Sequence, residues 1–205
     1  RVFGHWQIKE FLGSGSGGKS AVFRLEHTET RGVESALKVI SLIEEHGRLE
    51  SFSPDRQREY LQARDARSAQ AEREVCLMDA LQGNTNIVDY LDHTFVDWTD
   101  EFGFGRDMLI RMEKLTDLRG QISVGKEFTR EEILKIGRDI CTALSLCHEE
   151  GILHRDIKPE NIFINKKGHY KLGDFGISRM VSSTSSAVAS TGIGTPQYWA
   201  PEQTS

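Results

Sequence analysis

The sequence predicts an α+β chain in two unequal parts, and three observations carry that reading. Short segments rich in apolar residues, Trp6–Leu12, Ala21–Glu26 and Ser35–Ser41, are separated by Gly and Thr-Arg-Gly turns, as in an antiparallel sheet. One long stretch, about 54 to 81, is charged and proline-free after its start, and it carries Val75, Met78 and Leu81 at helical spacing. A second helix opens at the capping box Thr129-x-x-Glu132, which Ile133, Ile136, Ile140, Leu144 and Cys147 follow at three- and four-residue steps.

In chain order, the three opening strands precede the long helix. Its first half, RQREYLQARDARSAQAERE, alternates Arg with Asp and Glu and reads as a solvated face. After the Gly83-Asn84 break, Ile87–Val96 and Met108–Met112 read as two further strands. The helix from Thr129 stops at Glu149-Glu150-Gly151 and buries its apolar stripe. Two small apolar segments, Ile162–Ile164 and Tyr170–Leu172, flank a Lys-Gly turn, and a Ser/Thr-rich tract, VSSTSSAVAST, comes after them. No internal repeat is present.

Composition narrows the function classes. The 205 residues are 38% hydrophobic and 28% charged, enough for one large domain or two small lobes. Net charge is 26 − 31 = −5, which disfavours nonspecific nucleic-acid binding. No apolar run reaches membrane-spanning length, and no signal segment opens the chain. The start at Arg1 suggests a trimmed piece. Cys76, Cys141 and Cys147 form no disulfide framework and read as small core residues of a reducing compartment; Cys147-His148 lacks the second pair a metal site needs.

Leu12 to Arg24, LGSGSGGKSAVFR, fits three phosphate-cradling loops. Gly13-x4-Gly18-Lys19-Ser20 matches a P-loop, and Gly13-x-Gly15-x-x-Gly18 matches both a dinucleotide fingerprint and the glycine-rich loop of protein kinases. The first two need a helix to begin at the loop, because the helix N-terminus helps bind phosphate. The segment after the loop, Ala21–Glu26, is instead short and strand-like, and the strand after it carries Lys38 where an acidic residue would be wanted. Strand, glycine loop, strand and a lysine-bearing strand is the kinase arrangement.

Three further signatures occur in order. His154-Arg155-Asp156-Ile157-Lys158-Pro159-Glu160-Asn161 fits H-R-D-L-x-x-x-N with Ile for Leu, Asp174-Phe175-Gly176 comes thirteen residues after Asn161, and Ala200-Pro201-Glu202 closes the segment. The sequence resembles the eukaryotic-type protein kinase family over essentially its whole length, and GTPQYWAPE with Lys158 resembles its serine/threonine branch.

That resemblance implies a bilobal fold: an antiparallel-sheet N-terminal lobe with one long helix over 1–112, a hinge at 113–117, and a mostly helical, here incomplete C-terminal lobe over 118–205. It implies ATP and Mg²⁺, with Mn²⁺ as the alternative ion. Lys38 would pair the α- and β-phosphates and be held by Glu74, Asp156 would take or orient the substrate hydroxyl proton, and Lys158 would steady the transferred phosphate. Asn161 and Asp174 would hold the ion. Leu12, Gly13, Gly15, Gly17, Gly18, Ser20, Val22 and Ala36 would line the nucleotide, with Met112 as gatekeeper and the Glu113 and Leu115 backbone on the adenine edge. Phe175 and His154 would stack with Met78.

Arg155 is implied as the partner of a phosphate placed on one of eight hydroxyl residues between Gly176 and Gly194, with Thr191 the single choice. Thr195 is implied as structural, tying Asp156 to Lys158. The glycine loop has two competing registers, because Val22 lies in phase with Gly15, Gly17 and Ser20 rather than with Gly13, Gly15 and Gly18.

The expected partners are protein substrates with Ser/Thr acceptors and no nucleic acid; the expected location is cytoplasmic, compatible with a tether outside these residues. The chain ends three residues after Glu202, where the family's lobe continues, so the rest is expected to have been trimmed rather than naturally absent. The alternative function is a nucleotide-binding pseudokinase or scaffold module. A small-molecule phosphotransferase is disfavoured by GTPQYWAPE.

Overall fold

A computed structural model describes residues 2–14, 19–175 and 195–198; of Glu74 and Leu77 it describes the backbone alone. Packing divides the chain into two compact units, one of 1–76 with 90–114, the other of 77–89 with 115–205.

The first unit is built on a five-stranded antiparallel sheet in the order β1-β2-β3-β5-β4. Its strands are β1 (Trp6–Ser14), β2 (Ser20–His27), β3 (Glu34–His46), β4 (Tyr90–Thr99) and β5 (Gly103–Glu113). Strand β3 is central and paired along both edges; Leu37, Ile40 and Leu42 are buried, and so is Lys38. Trp6, Leu25, Leu37 and Leu109 form one apolar cluster, and Ile43, Tyr60 and Phe104 a second that includes the long helix.

β3 and β5 both run farther than the apolar runs suggest. The stretch EFGFGRD, 101 to 107, precedes the expected strand Met108–Met112, yet Gly103 and Gly105 lie in the ladder opposite His46 and Glu44. A Cβ on Gly105 would strike the Ile43 carbonyl and come within 2.7 Å of the Trp98 ring. Glycine here permits close strand approach rather than a turn. A register shift between Ser41 and Ile43 gives β3 a bulge at Leu42.

Helix α1 (Pro54–Ala80) is a single 27-residue element. Tyr60, Ser68, Ala71 and Val75 are buried along one side of it. Its first half is therefore not only a solvated face: polar residues interrupt the stripe and hide its period from a hydrophobicity reading.

The second unit carries β6 (Thr116–Asp117), β7 (Ile162–Ile164) and β8 (Tyr170–Leu172) in one antiparallel sheet, with helices α2 (Leu118–Ser123) and α3 (Arg130–Glu149). Helix α2, absent from the sequence reading, starts where the Asp117 carboxylate accepts the Gly120 N–H. The expected hinge thus narrows, since Glu113 ends β5 and Thr116 begins β6. Segment 77–89, read with the first lobe, packs with the second unit. Leu81 and Ile87 join its core, Val88 N–H donates to the Leu172 carbonyl, and Asn86 donates to the Tyr170 carbonyl. Ile87–Asp89 is therefore not the start of β4.

The Thr129–Glu132 capping box is present in both directions. At the other end, Gly151 adopts φ 71°, Gly151 N–H donates to the His148 carbonyl and Ile152 N–H to the Cys147 carbonyl. That pair of bonds is a Schellman stop, which requires a left-handed residue and so favours glycine. Ile140, Ala143 and Cys147 are buried, but Ile133 is 58% exposed, so the stripe buries from its second turn onward and not from its first. Asp139, buried on the same helix, accepts the Tyr170 N–H and fixes α3 on β8. Of the cysteines only Cys147 is a core residue; Cys76 and Cys141 are exposed, because their helix positions fall off the buried faces.

Candidate active site

In the second unit, chemistry-bearing side chains converge on the loop from His154 to Asn161. Asp156, Lys158 and Asn161 are all buried. Asp156 Oδ1 accepts the Thr195 hydroxyl at 2.9 Å. Its Oδ2 meets Lys158 Nζ at 2.8 Å and accepts Asn161 Nδ2 at 3.2 Å. Lys158 Nζ also donates to Thr195 Oγ1 at 3.0 Å. One hydroxyl thus accepts from the cation and donates to the anion, and the three side chains form a closed ring. A buried carboxylate is tolerable only with such compensation.

His154 forms the base of this loop. Its Nδ1 accepts the Asp156 N–H at 3.3 Å and its Nε2 faces the Gly173 carbonyl at 2.9 Å. This pattern requires the neutral ring with its proton on Nε2. Burial favours the same state, holding the imidazole below its usual pKa. The His154 ring packs on Phe175 with centroids 5.0 Å apart. Phe175 leans on the second unit's core, and Met78 lies half-buried in the last turn of α1.

Three described residues other than glycine have positive φ, and two of them stand here: Arg155 at 65° and Asp174 at 58°. Such backbone costs about 1–3 kcal/mol per residue and persists where the surroundings impose it. At Arg155 it leaves the guanidinium exposed while His154 and Asp156 are buried on either side.

Gly173 is the residue the motif reading passed over. Its N–H donates to the Asn161 carbonyl at 3.0 Å and its carbonyl receives His154, so it joins the loop to Asp174. A Cβ there would lie 2.7 Å from Val88 Cγ2 and 3.0 Å from the Phe163 ring. Glycine directly before Asp174 was the available signal.

Asn161 Nδ2 donates to both the carbonyl and the carboxylate of Asp156, which leaves Oδ1 as the atom that could hold a metal. With the Asp174 carboxylate one residue beyond the Gly173–Asn161 bond, the donors are two hard oxygens. That set fits Mg²⁺, which takes one or two protein oxygens and completes its shell with water and phosphate. Among the described residues no cluster of three or more His, Cys, Asp or Glu could hold a metal.

In the first unit, Lys38 is 6% exposed, between Val22 on β2 and Ile110 on β5. Ala36 faces Met112 across β3 and β5, and Val22 faces Gly13 across β1 and β2. Leu12 is exposed, while Met112, Glu113 and Leu115 are half-buried. Ser20 is buried, and its hydroxyl has no hydrogen-bond partner among the described residues. Ser20–His27 is a strand, so the P-loop and dinucleotide alternatives fail on the missing helix. Lys19 is exposed.

Gly15, Gly17, Gly18, Thr191 and the other hydroxyl residues from Ser178 to Ser190 lie outside the described residues, as does Ala200-Pro201-Glu202; Glu74 lies on α1 with its side chain likewise outside them.

A family profile described as the protein kinase domain matches residues 6–205. The chain is 50% identical to the mouse serine/threonine-protein kinase Nek1 over 78 residues, 38% of this chain and 6% of that protein. It is 47% identical to the serine/threonine-protein kinase PknB of Mycolicibacterium smegmatis over 72 residues, 34% of this chain and 12% of that one. To the zebrafish cyclin-dependent kinase 20 it is 30% identical over 190 residues, 92% of this chain and 47% of the relative. The chain therefore spans less than half the length of each of these relatives. With a match that runs almost end to end, over residues 6–205, the chain belongs to the protein kinase domain family.

Proposed function

We propose that this chain catalyses transfer of the ATP γ-phosphoryl group to serine or threonine hydroxyls of protein substrates. The observation that carries this is Asp156: a buried carboxylate aimed by Thr195, Lys158 and Asn161, placed to accept a hydroxyl proton. In the transfer the acceptor oxygen forms a bond to the γ-phosphorus as the bond to the bridging oxygen of ADP breaks, and the hydroxyl proton passes to Asp156. Positioning and charge compensation supply most of the catalysis in such a reaction. Lys158 offsets charge on the transferred group, Lys38 holds the α- and β-phosphates, and Glu74 holds Lys38. When bound, Mg²⁺ neutralises phosphate charge, with Asn161 and Asp174 as its protein ligands.

Ala36, Val22, Leu12 and Met112 bracket the adenine, and the backbone of Glu113 and Leu115 reads its edge. The Thr195–Lys158 bond supports the serine/threonine assignment, because it joins both residues of the resemblance to Asp156. Autophosphorylation within 176–194, with Arg155 as phosphate partner, belongs to the same reading, as does a cytoplasmic site of action. No helix among the described residues is long and apolar enough to cross a membrane.

The test is phosphate incorporation from labelled ATP and Mg²⁺ into a generic basic protein, with Asp174→Asn and Asp156→Asn as controls. Incorporation above both controls is expected; equality with them would leave only a nucleotide-binding module.

A further inference from the structure

The sheet and the long helix of the first unit are joined by a set of directional polar contacts that no motif accounts for. On β5, Arg106 makes a two-pronged ion pair with Asp97 of β4, Nε to Oδ1 and Nη2 to Oδ2, each at 2.7 Å. Its remaining nitrogen, Nη1, donates to Ser68 Oγ on α1 at 3.3 Å, and Ser68 Oγ donates to the Arg64 carbonyl one turn back. Arg64 lies 3.9 Å from Asp97. A second link comes from Arg67 of α1, whose Nη1 donates to the Leu42 carbonyl at 2.7 Å. Leu42 stands at the β3 bulge, where the register shift interrupts regular pairing with β5.

The Arg67 link joins the two elements that carry the proposed lysine and glutamate, and the Arg106 link joins α1 to β5, the strand beside β3. Lys38 and Leu42 share β3, four residues apart, or about 13 Å along a strand. Ser68 and Glu74 share α1, six residues apart, or about 9 Å along a helix axis. Nothing between Ser68 and Glu74 interrupts the helix. Burial of Ala71 and Val75 does little to set the helix's rotation or its shift, because the hydrophobic effect is non-directional. Directional bonds do set them: Arg67 to the Leu42 carbonyl and Arg106 to Ser68 tie two points of the helix to the sheet, and the bidentate pair with Asp97 holds Arg106 in place within the sheet.

We propose that Arg67, Arg106 and Asp97 are positioning residues for phosphoryl transfer, acting by fixing α1 on β3 so that Glu74 stands in register with Lys38. The inference rests on the proposed role of Glu74 as the partner of Lys38. It concerns the portion of α1 ahead of Glu74, which the family motifs do not describe.

The test is a double-mutant cycle in the whole chain, with Asp97→Asn and Arg67→Met each combined with Glu74→Gln. Secondary structure and thermal unfolding first establish that each variant is folded; Ser68→Ala, which removes two hydrogen bonds and no charge, stands in where a variant is not. Asp97→Asn and Arg67→Met are each expected to lower kcat about tenfold, in line with the sensitivity of catalysis to small displacements. The same substitutions in the Glu74→Gln background should change kcat by less than about twofold, because residues acting through one group are not additive. KM for the acceptor protein should stay within about twofold, since none of the three is proposed to touch it. Arg67→Lys should recover part of the loss.

An equal loss in both backgrounds would overturn the proposal, as would folded variants with normal kcat. If Glu74→Gln alone turns over normally, the assignment of Glu74 fails and the proposal falls with it. If Glu74→Gln is impaired but the cycle is additive, only the clamp is wrong.

Discussion

Removing one hydroxyl, Thr195→Val, tests the core of the proposed site with almost no change in volume. Thr195 Oγ1 donates to Asp156 Oδ1 at 2.9 Å and accepts from Lys158 Nζ at 3.0 Å, both partners being charged and buried. Valine keeps the shape and loses both bonds. Asp156 retains Lys158 at 2.8 Å and Asn161 at 3.2 Å on Oδ2, so its charge stays compensated while Oδ1 loses the bond that aims it. A hydrogen bond to a charged group contributes about 1.5–3 kcal/mol. If that contribution is expressed in the transition state, kcat falls about ten- to hundredfold, at about 1.36 kcal/mol per factor of ten. The assay is initial-rate phosphate incorporation at saturating ATP, beside Thr195→Ser, which restores the hydroxyl and should recover most of the rate. Wild-type turnover in Thr195→Val would refute the reasoning. So would a serine variant as slow as the valine one, because the methyl group and not the hydroxyl would then matter.

Other expectations are independent of that one. Lys38→Met should lower kcat by about a hundredfold or more, as loss of a preformed charge on the phosphates does; normal turnover, measured in the same assay, would mean that a different lysine serves. Gly173→Ala places a methyl 2.7 Å from Val88 Cγ2, and overpacking of this kind costs about 1–3 kcal/mol, read as a lowered Tm with a lowered kcat. His154 is held below its usual pKa by burial, so the unfolded chain takes up a proton at higher pH than the folded one. Its contribution to stability is therefore complete above the unfolded value of about 6.5 and declines as pH falls from there toward the depressed folded value. Thermal unfolding at a series of pH values should show wild type losing stability below about pH 6.5 more steeply than His154→Gln; parallel curves would exclude His154 as the cause.

Much of the site was legible in the residues because each element of it is short and local. Spacing within His154–Asn161 and the thirteen-residue step to Asp174 fix chain distance, and so short a segment ahead of β7 has few ways to fold. The capping box and the Gly151 stop were legible for the same reason, since each satisfies backbone groups within a few residues of itself. Other features needed distant partners. Gly103 and Gly105 lie outside the apolar run of β5 and join the ladder only where β3 and Trp98 close on them. Tyr60, Arg64, Ser68 and Ala71 become one face of α1 only against Phe104, Asp97 and Arg106.

The sequence by itself determined the family and the order of the longer elements, because those depend on residue type and on separation along the chain. Only the tertiary structure decided that residues 77–89 pack with the second unit, that Gly173 joins His154 to Asn161, and that arginine bonds run between α1 and its sheet. Those contacts join residues far apart in sequence, and their strength comes from burial and from bond direction. Neither quantity exists until the chain has folded.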